Sequence, residues 1–186
     1  EGGRIPHLKL IKLMYIADRK SLEEAGFPMT YDKMKSLPHG PILDKTLNYI
    51  DAKPTPMPQS WTRFLTKNCT HTVSLIESSD FSALSENDID ILTNVHEEYG
   101  HLGKYELRDL THNPEFFPEW KDPRGSSLPI NYEDIFTALG DSELIAVYLA
   151  DKMNQNIDLE EAMHDSLDEL DGVFTYVVAT SDKLGM

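Results

Sequence analysis

The strongest constraint in the sequence is a run of apolar residues at helical spacing between two hard stops. Pro6 precedes the run, and Gly26 followed by Pro28 ends it. Leu10, Leu13, Met14 and Ala17 recur at three- and four-residue intervals, and Leu8, Ile11, Tyr15 and Leu22 widen the stripe. The spacing predicts a core helix over 7–25 with a glycine C-cap. Lys9, Lys12, Arg19 and Glu23 are expected on its solvated side, with Arg19 and Glu23 paired one turn apart.

A chain of 186 residues can bury well over half of its unfolded surface without a disulfide or metal staple. Its apolar fraction of 40% is ordinary for a globular protein. The single cysteine, Cys69, forbids an intrachain disulfide and points to a reducing, cytoplasmic setting. No apolar run approaches the roughly 20 residues needed to span a bilayer. The chain opens on Glu1 with no secretory signal pattern, which reads as a trimmed start.

The formal charge of −15 is unevenly spread. Residues 1–53 hold 9 bases and 7 acids, 54–140 hold 6 and 14, and 141–186 hold 2 and 11. Such a chain is repelled at long range by phosphate backbones and anionic lipids, so direct nucleic-acid binding is disfavoured and no membrane partner is expected. The bases of the first quarter lack the aromatic interleaving suited to stacking on nucleic-acid bases. They suit an acidic protein surface better.

Residues 29–40 read as an irregular connection ending in Pro38-His39-Gly40-Pro41. Gly40 is free to take positive φ, and Pro41 suits the first turn of a helix over about 41–52. The proline-rich stretch 53–58 is an extended tether. Two β-type stretches, 61–66 and 71–76, predict an antiparallel hairpin with Cys69 in its turn. Ser85-Glu86-Asn87-Asp88 is a capping box opening a helix through Tyr99, with Ile89, Leu92, Val95 and Tyr99 inward. A helix from Lys104 to about Thr111 precedes a long loop, 112–130, expected to pack through Phe116, Phe117 and Trp120. Asn131 caps a helix over Tyr132–Leu139. Helices near 142–152 and 159–170 lead into an apolar strand, Val173–Ala179. These elements predict an α+β, predominantly α-helical fold: a single core of about six helices with a small antiparallel β-hairpin.

Little in the sequence supports chemistry. His96 and His101 superficially match a zinc-protease spacing, but five residues turn a helix by about 500° and leave the rings some 140° apart. Cys69 has no helix N-terminus to lower its pKa and reads as inert. There is no glycine-rich phosphate loop, no nucleophile elbow and no paired-cysteine zinc spacing. No catalytic, cofactor-binding or metal-ligating residue is assigned, and no cofactor is implied.

Three blocks carry a resemblance. The first is Lys9-Leu10-Ile11-Lys12-Leu13-Met14-Tyr15-Ile16-Ala17-Asp18-Arg19, and the second is Pro38-His39-Gly40-Pro41. The third runs from Glu106-Leu107 through Thr111-His112 and Pro118-Glu119-Trp120 to Ile130-Asn131-Tyr132-Glu133-Asp134-Ile135. In this order they resemble the Panacea antitoxin domain, the SocA-like family of phage-associated proteins, over about residues 5–140. The resemblance implies a non-enzymatic neutralising domain of a bacterial or phage toxin–antitoxin system. Its partner would be a protein toxin encoded nearby, with a protease as a further partner where the domain acts as an adaptor. Gly40, Pro41, His112 and Trp120 are the family-motif positions, which also read plainly as a turn, a helix start and a packed loop. Lys12, Arg19, His39 and Trp61 are candidate partner-binding residues.

Residues 141–186 read differently. Asp141-Ser142-Glu143-Leu144-Ile145-Ala146 and the stretch from Leu167 to Thr180 resemble an internal piece of a class II glutamine amidotransferase domain. Such enzymes use an N-terminal cysteine, and this chain has none before position 69, so amide transfer is unsupported. A helical tail native to the domain, or a fused or mis-joined frame, would account for the segment equally. The expected layout is a 1–140 domain with a 141–186 acidic appendage. The rival functions are an amidotransferase fragment and a transcriptional co-regulator acting through a partner.

Overall fold

A computed structural model describes residues 2–51, 57–68 and 71–139, together with Leu149, Lys152, Ile157 and Asp158. Cys69, the helices expected near 142–152 and 159–170, and the strand expected at Val173–Ala179 lie outside those residues, apart from the four isolated positions. The chain opens with strand β1 (Arg4–Pro6), and helix α1 (His7–Ala25) follows directly. Gly26 ends α1 in the left-handed region at φ 81° and returns its N–H to the Leu22 carbonyl, as the glycine stop predicts. The Arg19–Glu23 ion pair forms.

The solvated face expected for α1 is a correction. Lys12 is 0% exposed and Lys9 is buried too. Apolar residues occupy nearly every face of α1, and the helix is buried or half-buried along its length apart from the exposed Glu24. The other elements surround it: α2 (Asp44–Ile50), α4 (Glu86–Tyr99), α5 (Lys104–Leu110), α6 (Tyr132–Leu139) and strands from two small sheets all pack on it. Ile11, Tyr15, Ile16, Ala17 and Leu22 centre the core, joined by Leu43, Ile50, Ile91, Val95, Leu107, Phe117 and Ile135.

The expected irregular connection and the helix start at Pro41 are also corrected. Strands β2 (Met34–Leu37) and β3 (Gly40–Leu43) form an antiparallel hairpin in which Pro41 faces Ser36. Strand β6 (Leu128–Pro129) joins the other side of β2, giving the order β3-β2-β6. β3 is thus an edge strand, where the missing N–H of proline is tolerated. α2 begins only at Asp44, because Asp32 reaches across to accept hydrogen bonds from the backbone N–H groups of Lys45 and Thr46 and from the Thr46 hydroxyl.

The second sheet has the order β1-β5-β4, with β4 (Leu65–Asn68) and β5 (Thr72–Leu75) as the expected hairpin and β1 as its third strand. One small hairpin therefore becomes two three-stranded antiparallel sheets among the described residues. Trp61, Arg63 and Phe64 belong to helix α3 (Gln59–Phe64) rather than to a strand. In that helix the Trp61 ring reaches Tyr49 of α2, with centroids 5.4 Å apart.

Ser85 and Asp88 form the predicted capping box of α4. Its inward stripe is Ile91 and Val95, while Ile89 and Leu92 face outward, which corrects the expected stripe. The loop after α5 packs through Phe117, whereas Phe116 is exposed. α6 begins at Tyr132 as expected, and the Asn131 backbone N–H donates to the Asp134 carboxylate.

Candidate functional site

α1 is largely buried yet carries polar side chains that together reach four separate segments of the chain. Lys9 Nζ donates to the Gly100 carbonyl at 2.6 Å and Lys12 Nζ to the Pro41 carbonyl at 2.7 Å. Tyr15 donates its hydroxyl to Glu119 Oε1 at 2.7 Å, and Arg19 Nε donates to the same oxygen at 3.0 Å. Asp18 accepts from the Thr30 N–H at 3.0 Å and from its hydroxyl, and Ser21 donates to the Phe27 carbonyl. These bonds satisfy polar groups on a largely buried helix, where a group left unpaired costs roughly 1–3 kcal/mol, or more for an ion. The helix thereby fixes the loops at 26–32, 38–41, 100–103 and 112–121.

The four family-motif positions converge on the 38–41 turn. Gly40 sits at φ +91°, and a Cβ there would lie 2.6 Å from Lys12 Nζ, 2.8 Å from Thr111 Oγ1 and 3.2 Å from His112 Cε1. Only glycine fits, by both conformation and space. Trp120 donates its indole N–H to the Leu37 carbonyl at 3.1 Å and meets the His112 ring edge-on, centroids 4.3 Å apart. The two His112 nitrogens face the Pro38 and Arg108 carbonyls. The Lys121 N–H adds a bond to the Ser36 hydroxyl. Lys12 below and His112 and Trp120 beside it hold the turn, and His39 is exposed on it.

Electrostatics follow from burial. Desolvation pushes the Lys12 ammonium down to about 7 and the Asp18 carboxyl up to about 6. Burial, and then the Glu119 carboxylate, raises the Tyr15 hydroxyl. Glu119 Oε2 is buried and has no hydrogen-bond partner among the described residues. Lys12 is shielded from solvent, so what the arrangement does chemically is hold backbone in place.

The sequence-predicted residues separate. Gly40, Pro41, His112, Trp120 and Lys12 come together with His39 above them. Arg19 lies farther along α1, tied to Glu23 and Glu119, with its guanidinium 5.1 Å from the Phe117 centroid. Trp61 is elsewhere, lining a cavity of about 220 Å³ with Tyr49, Ile50, Leu65 and Val73. Tyr15, Asp18, Thr111 and Glu119 were missed by sequence reasoning. A signal for the α1 members was available: a helix apolar on nearly every face has no solvated side on which to place its polar residues.

Residues 10–121 match the family described as antitoxin SocA-like, Panacea domain, and that span holds every residue of the turn site. The chain belongs to this family. Among curated proteins, the Panacea-domain chain is similar to a putative glutamine amidotransferase of Methanothermobacter thermautotrophicus, 34% identical over 85 residues. That match covers 44% of this chain and 27% of the relative. It is also similar to the glutamine amidotransferase-like protein GlxB of Rhizobium meliloti, 41% identical over 51 residues, 27% of this chain and 17% of that one. The chain thus matches about a quarter or less of the length of these relatives. No solved structure matches significantly. Among the described residues no group of three His, Cys, Asp or Glu side chains is placed to hold a metal ion, and no helix is long and apolar enough to cross a membrane.

Proposed function

We propose that this Panacea-domain chain is a non-enzymatic antitoxin module that neutralises a protein toxin encoded nearby, by direct binding or by presenting the toxin to a protease. The observation that carries the reading is where the charged motif residues go. Lys9, Lys12, Asp18, Arg19 and Glu119 are spent on fixing loops, not gathered at an open cleft. Loops fixed in this way favour recognition, because ordering has been met within the fold instead of during association. His39 and Trp61 are partner-contact candidates in this reading, while Lys12 acts through the Pro41 backbone and Arg19 through the Glu119 carboxylate it holds. Residues 141–186 form an acidic appendage to the 1–140 domain, and the module works in the cytoplasm.

A stable sequestering interface would bury about 1,200 Å² or more in total. The test is expression of the adjacent gene with and without this chain. Toxicity relieved by the chain is the expected result; a harmless neighbour, or one still lethal in its presence, refutes the proposal. The names of the two relatives suggest a second reading, a fragment acting on glutamine. Glutamine-dependent ammonia release by the purified chain would favour it, and none is expected.

A further inference from the structure

Five of the large apolar side chains exposed on the described surface, Leu75, Ile76, Phe81, Ile89 and Leu92, fall within one stretch of 18 residues. The same stretch carries five carboxylates, from Glu77 to Asp90, and no lysine, arginine or histidine. Ile76 is 59% and Phe81 61% exposed. Phe81 also holds φ at 57°, in the left-handed region that an aromatic side chain seldom adopts. Local bonds maintain that conformation: the Phe81 N–H donates to the Ser79 hydroxyl, the Leu84 N–H to the Phe81 carbonyl, and Asp80 accepts from Ser82. The 77–84 loop within the stretch is anchored at both ends, since Ile76 donates its N–H to the Phe64 carbonyl and Ser85 caps α4. Among the described residues, Arg63 reaches the stretch from outside and grips Glu77 through two nitrogens.

We infer that the 75–92 surface is where the toxin docks, through a basic segment that carries apolar anchors. This rests on the antitoxin reading and names the surface that reading requires. Charge selects the occupant. A surface with apolar side chains set among carboxylates repels acidic partners, including a second copy of this chain, and attracts a segment with lysines or arginines around its apolar residues. Phe81 and Ile76 are the anchors, because large exposed side chains on rigid backbone lose little entropy on burial. Tyr31, also exposed at positive φ, sits among Asp32, Lys33, Lys35 and Glu133, charges of both signs that do not select a basic segment.

The experiment uses the full chain and the product of its adjacent gene, co-expressed and then measured by calorimetric titration. Phe81→Gly and Ile76→Ser each weaken binding by about tenfold or more. Phe81→Gly keeps or raises the thermal midpoint, because glycine adopts φ 57° freely. Asp90→Lys weakens binding and flattens its dependence on salt. Tyr31→Asn leaves affinity unchanged. If wild type binds and the Phe81 and Ile76 variants bind as tightly, or if Tyr31→Asn is the variant that loses affinity, the inference is overturned while the antitoxin reading stands. If wild type neither binds nor neutralises the neighbour, the antitoxin reading falls and takes this surface with it.

Discussion

Replacing Lys12 by Met tests whether the buried amine limits stability near neutral pH. The folded chain releases the Lys12 proton near pH 7, while the unfolded chain keeps it until about 10.5. Between those values the unfolded state binds more protons, so stability rises with pH across that window. At 1.36 kcal/mol per pH unit, the folded chain forgoes about 5 kcal/mol below pH 7 relative to pH 10.5, and regains about 3 kcal/mol of it between pH 7 and 9. Methionine fills a similar volume without a charge but loses the bond to the Pro41 carbonyl, a debit of about 1–3 kcal/mol. The variant is therefore expected to be more stable than wild type by about 2 kcal/mol at pH 6, with the difference closing by pH 9. Urea unfolding at pH 6, 7.5 and 9, followed by tryptophan fluorescence, measures it. Other titrating groups cancel in the difference between the two proteins. Parallel pH profiles, or a variant weaker than wild type at every pH, would refute the reasoning.

Asp18→Asn removes a carboxyl that burial holds near 6, so the folded state binds more protons between about pH 4 and 6 and wild-type stability falls as pH rises through that window. The variant should gain about 2–3 kcal/mol at pH 7.5 and little at pH 4, read by denaturant titration at both. Gly40→Ala meets the Lys12 amine, the Thr111 hydroxyl and positive φ together, and should cost about 3 kcal/mol, visible as a lower thermal midpoint. Glu119→Ala strands the Tyr15 hydroxyl and leaves the Arg19 guanidinium with Glu23 as its carboxylate partner, and should cost about 3 kcal/mol; a loss below 1 kcal/mol in urea would show that the tether carries little.

Local signals were legible in the sequence wherever one element decided its own fate. The glycine stop at Gly26, the Ser85 capping box and the positive φ of Gly40 each depend on a few adjacent residues. The misreadings share a different cause. Pro41 opens a helix only if nothing upstream pairs with it, and the Met34–Leu37 strand does pair with it. Asp32 caps α2 from 12 residues away, a choice that local spacing does not encode. Residue type assigns Lys12 to solvent, whereas the fold buries it under the 38–41 turn, on a helix packed on nearly every side. Ile89 and Leu92 fit a helical stripe, but α4 touches the core along a narrower face than its sequence offers. The candidate site was half visible: the motif positions were identifiable, while their convergence on one turn depended on contacts 74 and 83 residues apart.

The tethers on α1 have a consequence for synthesis. Tyr15 and Arg19 reach a carboxylate that lies 104 and 100 residues farther along the chain. At 5–20 residues per second, the ribosome needs about 5–20 s to deliver Glu119 after those residues are made. For that interval the central helix holds polar groups with their final partner still unmade, and its apolar faces wait for α4, α5 and Phe117. A nascent chain stalled before α4 would carry the first motif block, 9–19, as a helix still lacking much of the packing that covers it. Slower translation between residues 19 and 119 would therefore lengthen the time for which Tyr15 and Arg19 lack their Glu119 partner.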